Sequence, residues 1–178
     1  MHRLFVAIVP PAPIRTALLT LMEGVEGARW QDEDQLHLTL RYIGEVDRHV
    51  AEDVAQVLGT IRSGQISLSI RRMGSFERRN SIDTLWAGVE PLGALTALHN
   101  KICHALVRCG LPPETRAYTP HITVARLGRS QAGVPAFIMR NADYDGGRFT
   151  AFEFALFEST ISKTGAVYEQ IAAYPLAR

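Results

Sequence analysis

His37-Leu38-Thr39-Leu40-Arg41-Tyr42-Ile43-Gly44 is the stretch that decides how this chain is read, because it recurs as His121-Ile122-Thr123-Val124-Ala125-Arg126-Leu127-Gly128. His, Thr and Gly match. Leu38/Ile122, Leu40/Val124 and Ile43/Leu127 are apolar exchanges. The copies lie 84 residues apart (121 − 37), close to half of the 178-residue chain. One His-x-Thr strand per half implies a duplicated fold whose two copies converge on one site.

Side chains of a strand alternate between its faces. In the first copy, Leu36 to Ile43, this puts His37, Thr39 and Arg41 on one face and Leu38, Leu40 and Tyr42 on the other, which is expected to be the core. In the second copy Arg126 has odd parity to His121. A regular strand points it away from the histidine, and a bulge would bring it back.

The segments around the copies set the fold class. Residues 3–9 read as a buried strand stopped by Pro10 and Pro11. Ile14, Leu18, Leu21, Met22 and Val25 have helical spacing from Pro13 to Val25. Residues 28–31 suit a short strand, and residues 47–61 a helix with Val50, Val54, Val57, Leu58 and Ile61 as its stripe. Strands are expected over 65–76 and 84–89. A helix over 93–109 is stopped by Gly110 and Pro112-Pro113. Residues 128–147 read as a loop with a short helix at 134–139. The chain closes with strands at 148–162 and 166–176, joined by a turn at Lys163-Thr164-Gly165. Consecutive strands imply antiparallel pairing, so the class is α+β rather than a doubly wound parallel sheet.

The net charge of +1 gives no global field for duplex DNA or an anionic membrane. Cys103 and Cys109 share the 93–109 helix. Six residues span about 9 Å of helix axis, beyond the roughly 7 Å Cα limit of a disulfide, so free thiols and a reducing compartment are expected. The N-terminal apolar run is broken by Pro10, Pro11 and Pro13. It has neither a cleavable-leader pattern nor the length to span a bilayer. A cytoplasmic protein without a membrane role is expected.

Two imidazoles and two hydroxyls around one groove suit phosphoryl chemistry. Histidine exchanges protons near neutrality, and a pair divides the work into base and acid. Threonine hydroxyls hydrogen-bond phosphoryl oxygens and fix them against the imidazoles. One His deprotonates an attacking oxygen while the other protonates the leaving oxygen, with no metal and no cofactor. A metal site would need a third ligand, which neither strand offers on the same face. The bland alternative is a duplicated core whose His and Thr satisfy each other.

The chain resembles the 2H phosphoesterases, and within them the RNA 2′,3′-cyclic phosphodiesterases, formerly called 2′-5′ RNA ligases. The resemblance rests on RLFVAIVPP, HLTLRYIGEV, GSF followed by LWAGVEP, PHITVAR, and a closing hairpin with Gly165-x-x-Tyr168. It implies a single domain over 1–178 built of two pseudo-symmetric lobes, with two antiparallel sheets facing a central cleft and helices packed outside. It implies metal-independent opening of an RNA 2′,3′-cyclic phosphate to a 2′-phosphomonoester. In that scheme His37 is proton donor, His121 proton acceptor, and Thr39 and Thr123 hold the phosphate. The motif symmetry alone leaves acid and base unassigned.

Arg41 and Arg126 are the further phosphate-binding candidates. Arg71, Arg72, Arg78 and Arg79 would line the RNA approach or form a solvated loop. Trp30, Tyr42, Trp86 and Tyr118 would stack on a base or belong to core and rim. His2, His49, His99 and His104 read as bystanders. The expected partner is RNA with a cyclic-phosphate end, such as a tRNA fragment, or a small cyclic nucleotide, bound by a monomer. Two other functions fit the same residues: 2′-5′ RNA ligation, the reverse displacement, and an RNA-end binding module without turnover. Two proton-transfer groups exceed what binding alone requires.

Overall fold

The computed structural model describes residues 1–163 and 165–177; Thr164, in the expected closing turn, lies outside the described residues. The elements in order are β1 (His2–Ile8), α1 (Ala12–Leu19), β2 (Arg29–Trp30), a 3-10 turn (Glu33–Gln35), β3 (Leu38–Val46), α2 (Arg48–Leu58), β4 (Ile66–Arg78), β5 (Ser81–Glu90), α3 (Leu92–Arg108), β6 (His121–Arg126), α4 (Val134–Arg140), β7 (Asp145–Ala151), β8 (Glu153–Ser162) and β9 (Gly165–Pro175). The class is α+β, and every strand pair is antiparallel.

The sheet order β7-β4-β5-β6-β3-β1-β8-β9 has an internal symmetry. β3 and β6, the two motif strands, are its middle. They meet at one residue pair, Leu38 opposite Ile122, which occupy the same position in the two copies. The local two-fold therefore passes through this seam, and the two expected sheets join edge to edge there. Leu38, Leu40, Ile122 and Val124 are almost fully buried beneath it. α3 packs against β3, and α2 against α3.

The chain reaches this symmetry by exchanging strands. After α2 it crosses to the second half, where β4 lies beside β5. After β7 it crosses back, and β8 lies beside β1. The single strand expected over 148–162 is thus two. β7 closes the outer edge of the second half against β4, and the chain breaks at the exposed Phe152. Apolar residues recur from Phe149 through Ala151 and Phe152 to the run Phe154–Phe157, so the pattern alone does not mark the break.

Local signals explain the helix ends. Asp47 caps α2 by accepting from the Val50 N–H at 3.0 Å. α1 ends at Leu19, earlier than its apolar spacing suggests. The Thr20 hydroxyl turns onto the Ala17 carbonyl, and the chain then passes through Gly24 at φ 77°. Val25 is still buried, but from a turn. Cys103 and Cys109 are free thiols. No described helix is long and apolar enough to cross a membrane.

Candidate active site

The inner face of the sheet holds a cleft of about 450 Å³ straddling the seam, and His37, Thr39, His121 and Thr123 all line it. Each imidazole is fixed in the same way. His37 Nδ1 lies 2.7 Å from the Gln35 carbonyl, and His121 Nδ1 lies 2.6 Å from the Thr119 carbonyl. A carbonyl only accepts, so each Nδ1 carries the proton and donates it. Nε2 is therefore the nitrogen free to exchange protons in both rings. Gln35 and Thr119 are themselves 84 residues apart, so the orienting bond is duplicated with the motif.

Aromatic side chains wall both rings. Phe5 lies 4.9 Å from His37 and Tyr168 meets it edge-on at 5.1 Å. Phe76 meets His121 edge-on at 4.8 Å, with Trp86 at 6.1 Å. Loss of water around a cation makes protonation harder. Burial pushes His37 down to about 4, against the opposing pull of the Gln35 carbonyl, with the nearby His121 and Arg126 adding to the depression. Burial also lowers His121, again aided by Arg126 and opposed by the Thr119 carbonyl. Both shifts favour the uncharged imidazole near neutral pH.

The motif strands are not regular, and this corrects the assignment of the arginines. In β3, Val6 pairs with Arg41 and Ala7 with Thr39, so Leu40 is an extra residue. In β6, Leu85 pairs with Ala125 and Trp86 with Thr123, so Val124 is extra. Both copies carry the same bulge, and parity flips after it. Arg41 therefore leaves the His37 face. It is buried, ion-paired to Glu114 and bonded to the Pro112 carbonyl at 2.9 Å. Tyr42 takes the place in the cleft. In the second copy the flip brings Arg126 into the cleft, where it donates to the Thr84 hydroxyl at 2.7 Å.

The bulge in β3 is held from behind. The Tyr118 hydroxyl donates to the Thr39 carbonyl at 3.2 Å, and His99 Nδ1 lies 2.7 Å from the Leu40 carbonyl. The His99 and Tyr118 rings stack at 4.1 Å. His99 is thus a buried bonding partner rather than a bystander, and Tyr118 is occupied in structure. The segment that supplies Tyr118 also supplies Thr119, so one loop ties the first motif and orients the second histidine.

The other candidates separate clearly. Arg71 pairs with Asp145 at 2.6 Å. Arg79 and Asn80 form the left-handed two-residue turn between β4 and β5. Neither Arg71, Arg72, Arg78 nor Arg79 lines the cleft. Trp86 lies flat over Gly74, where an added Cβ would sit 2.3 Å from the indole. Trp30 packs on Phe137 and borders the cleft. Sequence reading missed Arg29, Phe5 and Tyr168 as cleft residues. Tyr168 stood in the quoted hairpin motif; Arg29 and Phe5 needed strand register to be placed. A second hollow of about 360 Å³ adjoins the cleft at His121, lined by Tyr42, Phe76 and Arg116. Among the described residues, no group of three or more His, Cys, Asp or Glu is placed to hold a metal ion.

Residues 10–160 match the model of the 2′-5′ RNA ligase superfamily. The chain belongs to that superfamily. Among its similar members, the RNA 2′,3′-cyclic phosphodiesterase of Archaeoglobus fulgidus is 26% identical over 175 residues, covering 97% of this chain and 99% of the relative. That of Methanocaldococcus jannaschii is 28% identical over 173 residues, covering 95% and 98%. The fold agrees: the crystal structure of Escherichia coli LigT complexed with 3′-AMP superposes with a TM-score of 0.84 at 26% identity, covering 99% of both chains.

Proposed function

We propose that this superfamily member hydrolyses RNA 2′,3′-cyclic phosphate ends to 2′-phosphomonoesters, with His121 as base and His37 as acid. The observation that carries the reading is the pair of imidazoles in one cleft, each with Nδ1 fixed to a carbonyl and Nε2 free. The similar proteins named RNA 2′,3′-cyclic phosphodiesterase support the substrate class.

The reaction balances with two proton transfers. His121 Nε2 takes a proton from water as the water oxygen bonds to phosphorus. The P–O3′ bond breaks, and His37 Nε2–H protonates the leaving 3′-oxygen. The phosphate stays on O2′. Thr39 and Thr123 hold the non-bridging oxygens, and Arg126 offsets the charge that builds on them.

Burial gives the two histidines different aptitudes. The more strongly depressed His37 is the stronger acid once it carries a proton, which suits donation to an alkoxide. It must first acquire that proton. An anionic phosphodiester entering the cleft favours the imidazolium and raises its pKa, so substrate and proton bind together. The kcat/KM profile, which reports the free enzyme, then centres below pH 6.5, and the kcat profile lies to its alkaline side.

The test is direct. An oligoribonucleotide ending in a 2′,3′-cyclic phosphate is incubated with the protein in EDTA, and the hydroxyl that retains phosphate is identified. A 2′-phosphate is expected, with His37→Ala and His121→Ala each slowed by about 100- to 10,000-fold. Undiminished turnover in either variant would sink the proposal.

A further inference from the structure

One end of the cleft carries more positive charge than a single cyclic phosphate needs. β2 pairs with β6 so that Arg29 stands directly opposite Arg126, and both line the cleft. Like charges directly opposed across an antiparallel pair destabilise it. Neither guanidinium has a carboxylate partner among the described residues. Asp32 borders the same cleft and pairs with neither. Two other arginines do carry carboxylate partners: Arg15 is paired with Glu33, and Arg71 with Asp145. What marks the pair is its place: both members line the cleft and stand opposite each other on one ladder.

The two arginines are graded by distance from the chemistry. Arg126 stands on the motif strand itself, three residues after Thr123, and its charge is felt at both histidines. Arg29 lies one strand further out, on the short β2 that pairs only with the end of β6. A cyclic phosphodiester between the histidines carries one negative charge, which Arg126 offsets. Arg29, exposed at the cleft's end, is left free to meet a second anion.

We propose that Arg29 is a phosphate-binding residue for the phosphodiester on the 5′ side of the terminal nucleoside, so that the enzyme selects oligoribonucleotide ends over nucleoside 2′,3′-cyclic monophosphates. This rests on the reading of the preceding section. In a substrate held by its cyclic phosphate, that 5′ linkage is the next anion along the chain. A guanidinium recognises it by charge-assisted hydrogen bonds and reads no base. β2 is pinned by its ladder to β6, which places the Arg29 backbone relative to the histidines without help from the ligand.

The test isolates the charge of that one linkage. Two dinucleotides ending in a 2′,3′-cyclic phosphate are compared, one with a phosphodiester between its nucleosides and one with a neutral methylphosphonate. Each is assayed with the wild-type protein, Arg29→Ala and Arg29→Lys. The wild type should prefer the charged linkage about 10-fold in kcat/KM, the size of one partly exposed charge-assisted contact. Arg29→Ala should reduce that preference to below about 2-fold, and Arg29→Lys should keep most of it. A second readout uses a longer oligoribonucleotide, for which the slope of log kcat/KM against log salt should fall by about 0.7 in Arg29→Ala. An equal preference in wild type and Arg29→Ala overturns the assignment while the reaction itself stands. Absence of turnover of the charged dinucleotide by the wild type overturns both the reaction and this subsite. A uniform loss on both substrates in Arg29→Ala would mean a structural role for Arg29 and also overturns the assignment.

Discussion

The two halves of the cleft are alike up to the bulge and unlike one residue beyond it. Each supplies a histidine fixed to the carbonyl two residues back, a threonine, and an extra apolar residue that flips the strand. At the first cleft-facing position after the flip, the first half has Tyr42 and the second has Arg126. The duplicated fold thus delivers two equivalently oriented imidazoles, and a single exchange makes the groove between them unsymmetrical. One end is cationic, with Arg126 and Arg29. The other has the phenol of Tyr42 at that position and opens into a hollow whose lining mixes Phe76 with Glu114 and Arg116. A symmetric scaffold cannot tell attack from departure; in the mechanism proposed above, this difference and the deeper burial of His37 do so.

The sharpest way to break the comparison is at its asymmetric position. Arg126→Ala should lower kcat/KM by about 100- to 1,000-fold, as removal of one charge-stabilising donor does, whereas Tyr42→Ala should cost at most about 10-fold. Steady-state kinetics on a cyclic-phosphate oligonucleotide decides it. Equal losses at the two positions would mean that the groove is not polarised.

The unequal burial of the histidines gives a stability signature. The unfolded chain binds a proton at His37 near pH 6.5 and the folded chain near 4. Between these values the unfolded state holds more protons, so stability rises with pH and is lost as pH falls through the window. The contribution is at most roughly 3 kcal/mol, reduced by the openness of the cleft. Denaturant unfolding between pH 7 and 4 should be less pH-dependent in His37→Gln than in the wild type, and the corresponding change for His121→Gln should be smaller.

The smallest expected effect concerns the loop that ties the halves together. Tyr118→Phe leaves the Thr39 carbonyl at the bulge without its donor, costing about 1–3 kcal/mol. Because Thr119 on the same loop orients His121, the variant should lower kcat more than it raises KM. A loss of stability with unchanged kinetics would show that the clamp does not reach the site.

Much of this was legible in the chain. The repeat at 37–44 and 121–128 gave the duplication, the two histidines and the two threonines, because residues i and i+2 of a strand share a face wherever no bulge lies between them. Burial of Leu38, Leu40, Ile122 and Val124 followed from the same pattern. One feature takes Arg41 off its expected face and brings Arg126 into the cleft. A bulge inserts a residue without changing the apolar alternation before it, and Leu40-Arg41 and Val124-Ala125 are buried in succession. The equivalence of Tyr42 and Arg126 was present in the aligned repeat. Arg29 was not legible, since only the register of β2 on β6 brings it opposite Arg126. The crossing of the chain between halves at Phe152 likewise depends on pairing partners far away in sequence.

The division of labour between the histidines is the central claim, and leaving-group dependence tests it most directly. A phosphodiester with a 4-nitrophenyl leaving group departs without needing a proton. Relative to the wild type on each substrate, His37→Ala should recover most of its loss on the aryl ester, while His121→Ala should remain impaired on both. Equal rescue of the two variants, or rescue of His121→Ala alone, would contradict the assignment of acid and base.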